Sequence, residues 1–87
     1  MATVFIPALM RKLTGGRESI LVRGETVAQL ISDIENQFPG FRNYVIEDGE
    51  LKPSIAVSID GEIASAGLME AVGDSSEVHF IPALGGG

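Results

Sequence analysis

Side chains able to do chemistry are few in this 87-residue chain. It has no cysteine, which removes cysteine nucleophiles, thiolate metal sites and disulfides together. The single histidine, His79, has no nucleophile or carboxylate at a recognisable spacing. It reads as an exposed strand residue or an interface contact, not as a catalytic base. The acidic run Glu47-Asp48-Gly49-Glu50 does not have calcium-loop spacing, and a solvated turn accounts for it. Thr14-Gly15-Gly16 is not followed by Lys-Ser/Thr, so it is a turn and not a phosphate loop. No catalytic side chain and no metal site is expected. What remains is the glycine-rich end, Ala83-Leu84-Gly85-Gly86-Gly87, directly after Ile81-Pro82.

The elements that must position this end are legible from periodicity. Thr3–Ile6 alternates around Val4 and Ile6 and is stopped by Pro7, which cannot donate to a strand ladder. After Thr14-Gly15-Gly16, Glu18–Arg23 resumes a strand with Ile20 and Val22 on one face, so an N-terminal hairpin is expected. Thr26-Val27-Ala28-Gln29 fits a capping box, in which the Thr hydroxyl accepts from the third helical N–H and the Gln reaches back. Val27, Leu30, Ile31, Ile34 and Phe38 follow at spacings of three and four, and Pro39-Gly40 stops the helix. Residues Phe41–Pro53 read as irregular. Ile55–Ile59 alternates again, and Asp60-Gly61 is a tight-turn dipeptide. Ala64–Val72 is expected to hold a short helical turn with Leu68 and Met69, and Glu77–Ile81 is the last strand. Strands around one amphipathic helix predict an α+β domain, the helix lying across one face of a mixed sheet. The first and last strands are expected to pair in parallel at its centre.

Composition bounds the rest. The length allows one domain, and 45% hydrophobic residues supply its core. The net charge is −6 with a pI near 4.5. Six basic residues do not make a phosphate-binding stripe, so neither nucleic acid nor an anionic membrane is an expected partner. Taken over the whole chain, this charge favours a basic protein surface. No apolar run approaches the ~20 residues of a membrane span, and MATVFIPAL lacks the order of a signal peptide. A soluble, cytoplasmic protein is expected.

In this order of elements, ending in Gly-Gly, the chain resembles the β-grasp (ubiquitin-like) sulfur carriers. These include the small subunit of molybdopterin synthase, the thiamine-biosynthesis carrier and a carrier of cysteine biosynthesis. The resemblance covers the whole chain. It is most specific at Ile6-Pro7…Leu13-Thr14-Gly15-Gly16 and at Ile81-Pro82-Ala83…Gly86-Gly87. The first stretch, with Arg11 inside it, is most similar to the cysteine-biosynthesis branch. The resemblance implies a mixed sheet of about four to five strands on one main helix over residues 1–82, followed by a flexible tail at 83–87. It implies that the sulfur-carrying terminus is Gly86-Gly87, and that a ubiquitin-activating-type enzyme adenylates its carboxylate with ATP. A sulfur donor would then make a thiocarboxylate that delivers sulfide to a synthase. The chain itself would bind no cofactor, act as co-substrate and not enzyme, and be monomeric when free. Gly85, a third glycine, departs slightly from the family pattern and is expected to loosen the tail without changing the chemistry.

The chemistry explains the residue types. A free carboxylate is a poor electrophile and must be activated in a site that excludes water, hence behind a narrow entrance. Glycine has no Cβ and threads such an entrance. Five extended residues beyond Pro82 reach roughly 17 Å, enough to enter a partner while the domain stays outside. If Val4, Ile6, Ile20, Val22, Ile55, Val57, Ile59, Val78 and Phe80 face the helix, then Phe5, Leu21, Ala56, Ser58, His79 and Ile81 face out. An apolar patch on a small sheet is the kind of surface that marks a partner site. Two other readings share the fold: a ubiquitin-like modifier joined to lysines through Gly87, and an interaction module with no terminal chemistry.

Overall fold

A five-stranded mixed sheet carries the chain's architecture; the computed structural model describes residues 1–82. Its strands are β1 (Ala2–Phe5), β2 (Ser19–Val22), β5 (Ile55–Ile59), β6 (Glu62–Ile63) and β7 (Glu77–Pro82), in the order β2-β1-β7-β5-β6. Between β2 and β5 come the helices α1 (Val27–Gln37) and α2 (Phe41–Val45). A separate hairpin of β3 (Ile46–Glu47) and β4 (Glu50–Leu51) follows them. β1 pairs antiparallel with β2 and parallel with β7, which also pairs antiparallel with β5. The expected parallel pairing of first and last strands is present, with β7 the middle strand. This is the β-grasp fold.

Alternation along the strands decides which face is covered. Val4, Ile6, Ile20, Val22, Val57, Val78 and Phe80 are buried with the α1 stripe Val27, Leu30, Ile31 and Ile34, while Ile55 and Ile59 pack against that core half-buried. Each buried aliphatic side chain contributes roughly 1.5–3 kcal/mol. A helix cap contributes ~1 kcal/mol. The stripe therefore fixes where α1 lies, and the cap fixes where it starts. Thr26 Oγ1 accepts from Gln29 N at 3.2 Å, as the capping box predicts. Gln29 Oε1 reaches back one residue further, to Glu25 N at 2.8 Å. Thr26 bridges Ala71 through its neighbours: Val27 N donates to the Glu70 carbonyl at 3.0 Å and Val72 N to the Glu25 carbonyl at 2.9 Å. Gly24 carries the chain from β2 onto the helix at φ +153°, where an added Cβ would fall 2.8 Å from Leu30 N.

Two expectations give way. The stretch Phe41–Pro53, read as irregular, contains α2 and the β3–β4 hairpin. α2 has only five residues, too few to show a helical period. It is held by tertiary partners: Glu35 accepts from Gly40 N at 3.0 Å and from Arg42 N at 2.8 Å, and Phe41 packs edge-on against Phe80 at 5.4 Å. The turn of the hairpin does fall on Asp48-Gly49, both at positive φ. β6 was also absent from the pattern, because two residues carry no alternation; Ser58 and Ile59 define it by pairing with Ile63 and Glu62. The short helical turn expected in 64–72 is a 3-10 turn at Gly67–Met69. No helix among the described residues is long and apolar enough to cross a membrane.

Candidate functional site

The outward face of the sheet is assembled by register. Phe5 lies opposite Ser19 on one side and His79 on the other, and His79 lies opposite Ser58, which pairs with Ile63. One cross-strand row thus runs Ser19, Phe5, His79, Ser58, Ile63. Within it the Phe5 and His79 rings stack with centroids 4.3 Å apart and planes 2° from parallel. One step along, Ile81 faces Ala56.

Beside this row, at the C-terminal end of β7, the surface opens into an apolar groove of about 590 Å³. Phe5, His79 and Ile81 form its sheet wall, Pro7, Ala8 and Leu9 its opposite wall, and Arg11 and Glu18 its rim. Pro82 is part of the lining. Pro82 is also the last described residue. The opposite wall is the connection between β1 and β2. Pro7 ends the strand, Ala8–Met10 makes a 3-10 turn, and Met10 turns inward to the core while Leu9 stays 79% exposed. Arg11 Nε donates to the Ile6 carbonyl at 3.2 Å and holds that turn against the strand end. Further on, the buried Thr14 hydroxyl donates between the carbonyls of Arg11 (3.2 Å) and Arg17 (3.0 Å). Gly15 and Gly16 take positive φ. Thr14-Gly15-Gly16 is the turn that was expected, and it braces the groove wall from behind.

The residues expected on the partner surface divide four ways. Phe5, His79 and Ile81 come together in the groove, with Ile81 41% exposed. Ala56 lies beside Ile81, half-buried. Leu21 is exposed but belongs elsewhere: it sits on the edge strand opposite Thr3, and lines a shallow depression with Met1, Arg23 and Asp33. Ser58 is a correction. It points outward as alternation requires, yet is only 8% exposed, because a small side chain between His79 and Ile63 on adjacent strands is covered by both. Pro7, Leu9, Arg11 and Ile63 are surface features that period-two reasoning missed. Three lie in a connection and one on a two-residue strand. The available signal was an apolar Pro7-Ala8-Leu9 in a loop, where solvent would favour polar residues. The tail residues Ala83, Leu84 and Gly85 and the terminus Gly86-Gly87 lie outside the described residues.

Two carboxylates have lowered pKa values, and both serve the scaffold. Glu35 is held below the usual carboxylate range by the N–H groups of Arg42 and Gly40 and by the charge of Arg42. Asp60 is lowered by the N–H of Glu77 and the hydroxyl of Ser76, which close the β5–β6 turn onto the start of β7. Neither lies in the groove. Among the described residues no group of three or more acidic or imidazole side chains is placed to hold a metal.

Known proteins resemble this chain over most or all of its length. The model of the ThiS family matches residues 4–87. The sulfur carrier protein CysO of Mycobacterium tuberculosis is 32% identical over 90 residues, covering 98% of this chain and 97% of that protein. Small archaeal modifier protein 3 of Haloferax volcanii is 31% identical over 77 residues, covering 83% and 84%. A chain in the crystal structure of the Amycolatopsis orientalis BexX/CysO complex superposes with a TM-score of 0.92 at 31% identity, each chain covered to 100%.

Proposed function

The chain belongs to the ThiS family, and from that premise we propose that it is a sulfur carrier working through the carboxylate of Gly87. The carboxylate attacks the α-phosphate of ATP on a separate activating enzyme, releasing pyrophosphate and leaving an acyl-adenylate. A sulfide donor displaces AMP to give the thiocarboxylate. Its sulfur then displaces a leaving group from an acceptor on a synthase, and water cleaves the resulting acyl C–S bond, leaving the sulfur on the acceptor and restoring the carboxylate. The carrier is the co-substrate throughout, acting in the cytoplasm, and its own side chains dock and orient without touching the reacting atoms. Similarity to CysO over nearly the full chain favours a cysteine precursor as the acceptor.

The observation that carries the reading is the placement of Pro82. The central strand delivers the chain end from an apolar groove, so one partner surface can grip the groove while the following five residues reach up to ~17 Å into its active site. Phe5, His79 and Ile81 supply that grip.

Intact mass of the full chain, after incubation with ATP, a sulfide source and the host's activating enzyme, tests the proposal. The expected result is a gain equal to exchanging one oxygen for sulfur, absent when Gly87 is deleted. No gain, with an enzyme proven active on another carrier, overturns it. The similarity to a Haloferax volcanii modifier protein supports a second use of the same activated terminus, attachment to lysines. Isopeptide-linked conjugates in cell extracts would reveal it.

A further inference from the structure

Charge in this molecule is sorted along the strand axis. β1 and β7 run parallel, so the Pro7–Glu18 connection lies at the end where β7 finishes; β5 runs against β7, which brings Lys52 and Ile55 to the same end. Arg11, Lys12, Arg17 and Glu18 belong to that connection, with Arg11 3.9 Å from Glu18, and Lys52 reaches the same end directly after the acidic β3–β4 hairpin. Arg42 is near this end too, but its charge faces Glu35. Glu25, Asp60, Glu62, Asp74 and Glu77 lie towards the opposite end, with Arg23. The chain is anionic overall, at −6, yet the connection that walls the groove, residues 7–18, holds three cations against one carboxylate.

Resting on the carrier reading, we propose that the surface receiving the tail is an apolar protein surface rimmed with carboxylates. They face Arg11, Lys12, Arg17 and Lys52. This reverses the expectation from net charge, and magnitudes explain why. β7 has six residues and spans about 20 Å, whereas charges are screened over ~8 Å at physiological ionic strength. A partner seated at the groove is thus more than two screening lengths from the acidic pole. It feels the local cations. The two poles also orient the approach: a carboxylate-rimmed entrance attracts the tail end of the carrier and repels the other end, so encounters are biased toward productive ones. Arg11 is already fixed by its bond to the Ile6 carbonyl and lies 3.9 Å from Glu18, so its position at the rim needs little ordering on docking.

The test is the association rate constant of the full chain with the host's purified activating enzyme, measured without ATP so that it stands apart from sulfur loading. K12E/R17E/K52E leaves Arg11 and its brace intact, and its fold is checked by circular dichroism. The expected result is association at least ~10-fold slower at low salt, with the difference vanishing near 1 M salt, where screening falls to ~3 Å. E25K/E62K/D74K, which alters the remote pole by as many charges, is expected to associate as the wild type does. An unchanged or faster rate for K12E/R17E/K52E overturns the proposal, a faster one pointing to a basic receiving surface. Slowing by E25K/E62K/D74K equal to that of the first variant overturns it as well. A wild type that binds but gains no sulfur mass would count against the carrier reading alone.

Discussion

At Phe5 and Gly24 single residues carry a large share of the outcome, for opposite reasons. Phe5 is half-buried on the open face of the sheet and stacked on His79, so the core does not depend on it. Phe5→Asp is expected to leave the fold intact and to weaken binding to the activating enzyme by at least tenfold, since a carboxylate would enter the apolar wall of the groove. Calorimetric titration with that enzyme, beside a thermal melt, checks both parts; unchanged binding would sink the assignment of this face. Gly24 lies outside the groove lining, yet it has no substitute. Any side chain there meets the Leu30 and Gln29 backbone at 2.8–3.0 Å and must hold φ near +153°. Gly24→Ala is expected to cost on the order of 1–3 kcal/mol, read as a lower urea midpoint with the slope unchanged.

Among the elements, α1 and α2 show two ways of making a helix. α1 is specified locally, by its cap and its apolar stripe. α2 is too short to persist alone and depends on Glu35, a residue of the previous helix, for its first N–H groups. Because those bonds lower the folded-state pKa of Glu35, they contribute stability that is complete above the unfolded carboxylate value, ~4.3. It is lost as pH falls through the lower folded value. Glu35→Gln is therefore expected to reduce stability at neutral pH and to flatten the loss seen on acidification below about pH 4. Denaturant titrations at pH 7 and pH 3 would show this; a variant as acid-sensitive as the wild type would exclude Glu35 as the source. Asp60 has the same sign at the β5–β6 turn, so part of the acid sensitivity is expected to remain.

For the molecule as a whole, the proposed function divides the labour between a domain that docks and a terminus that reacts. We expect removal of residues 83–87 to leave the unfolding midpoint of the remaining domain unchanged within ~0.5 kcal/mol while abolishing sulfur loading. Chemical denaturation and intact mass of the same truncated protein check the two halves of that statement. A marked loss of stability would mean that the tail packs on the domain.

How much of this was legible depends on whether the information is local. The cap at Thr26, the stripe from Val27 to Phe38, the alternation of Val4, Ile6, Ile20, Val22, Val78 and Phe80, and the turns at Gly15-Gly16, Asp48-Gly49 and Asp60-Gly61 are all local. Each was determined by the sequence alone, because period and backbone preference act between residues a few positions apart. The resemblance added the family and the terminal glycines. What only the tertiary structure decided depends on distant partners: α2 held by Glu35 and Phe80, β6 defined by β5, Ser58 covered by neighbours on two strands, and the groove closed by the Pro7-Ala8-Leu9 turn. The sorting of charge belongs to the same class. A net charge can be counted along a sequence, but strand direction determines which charges gather at one end, and direction exists only once the strands have paired.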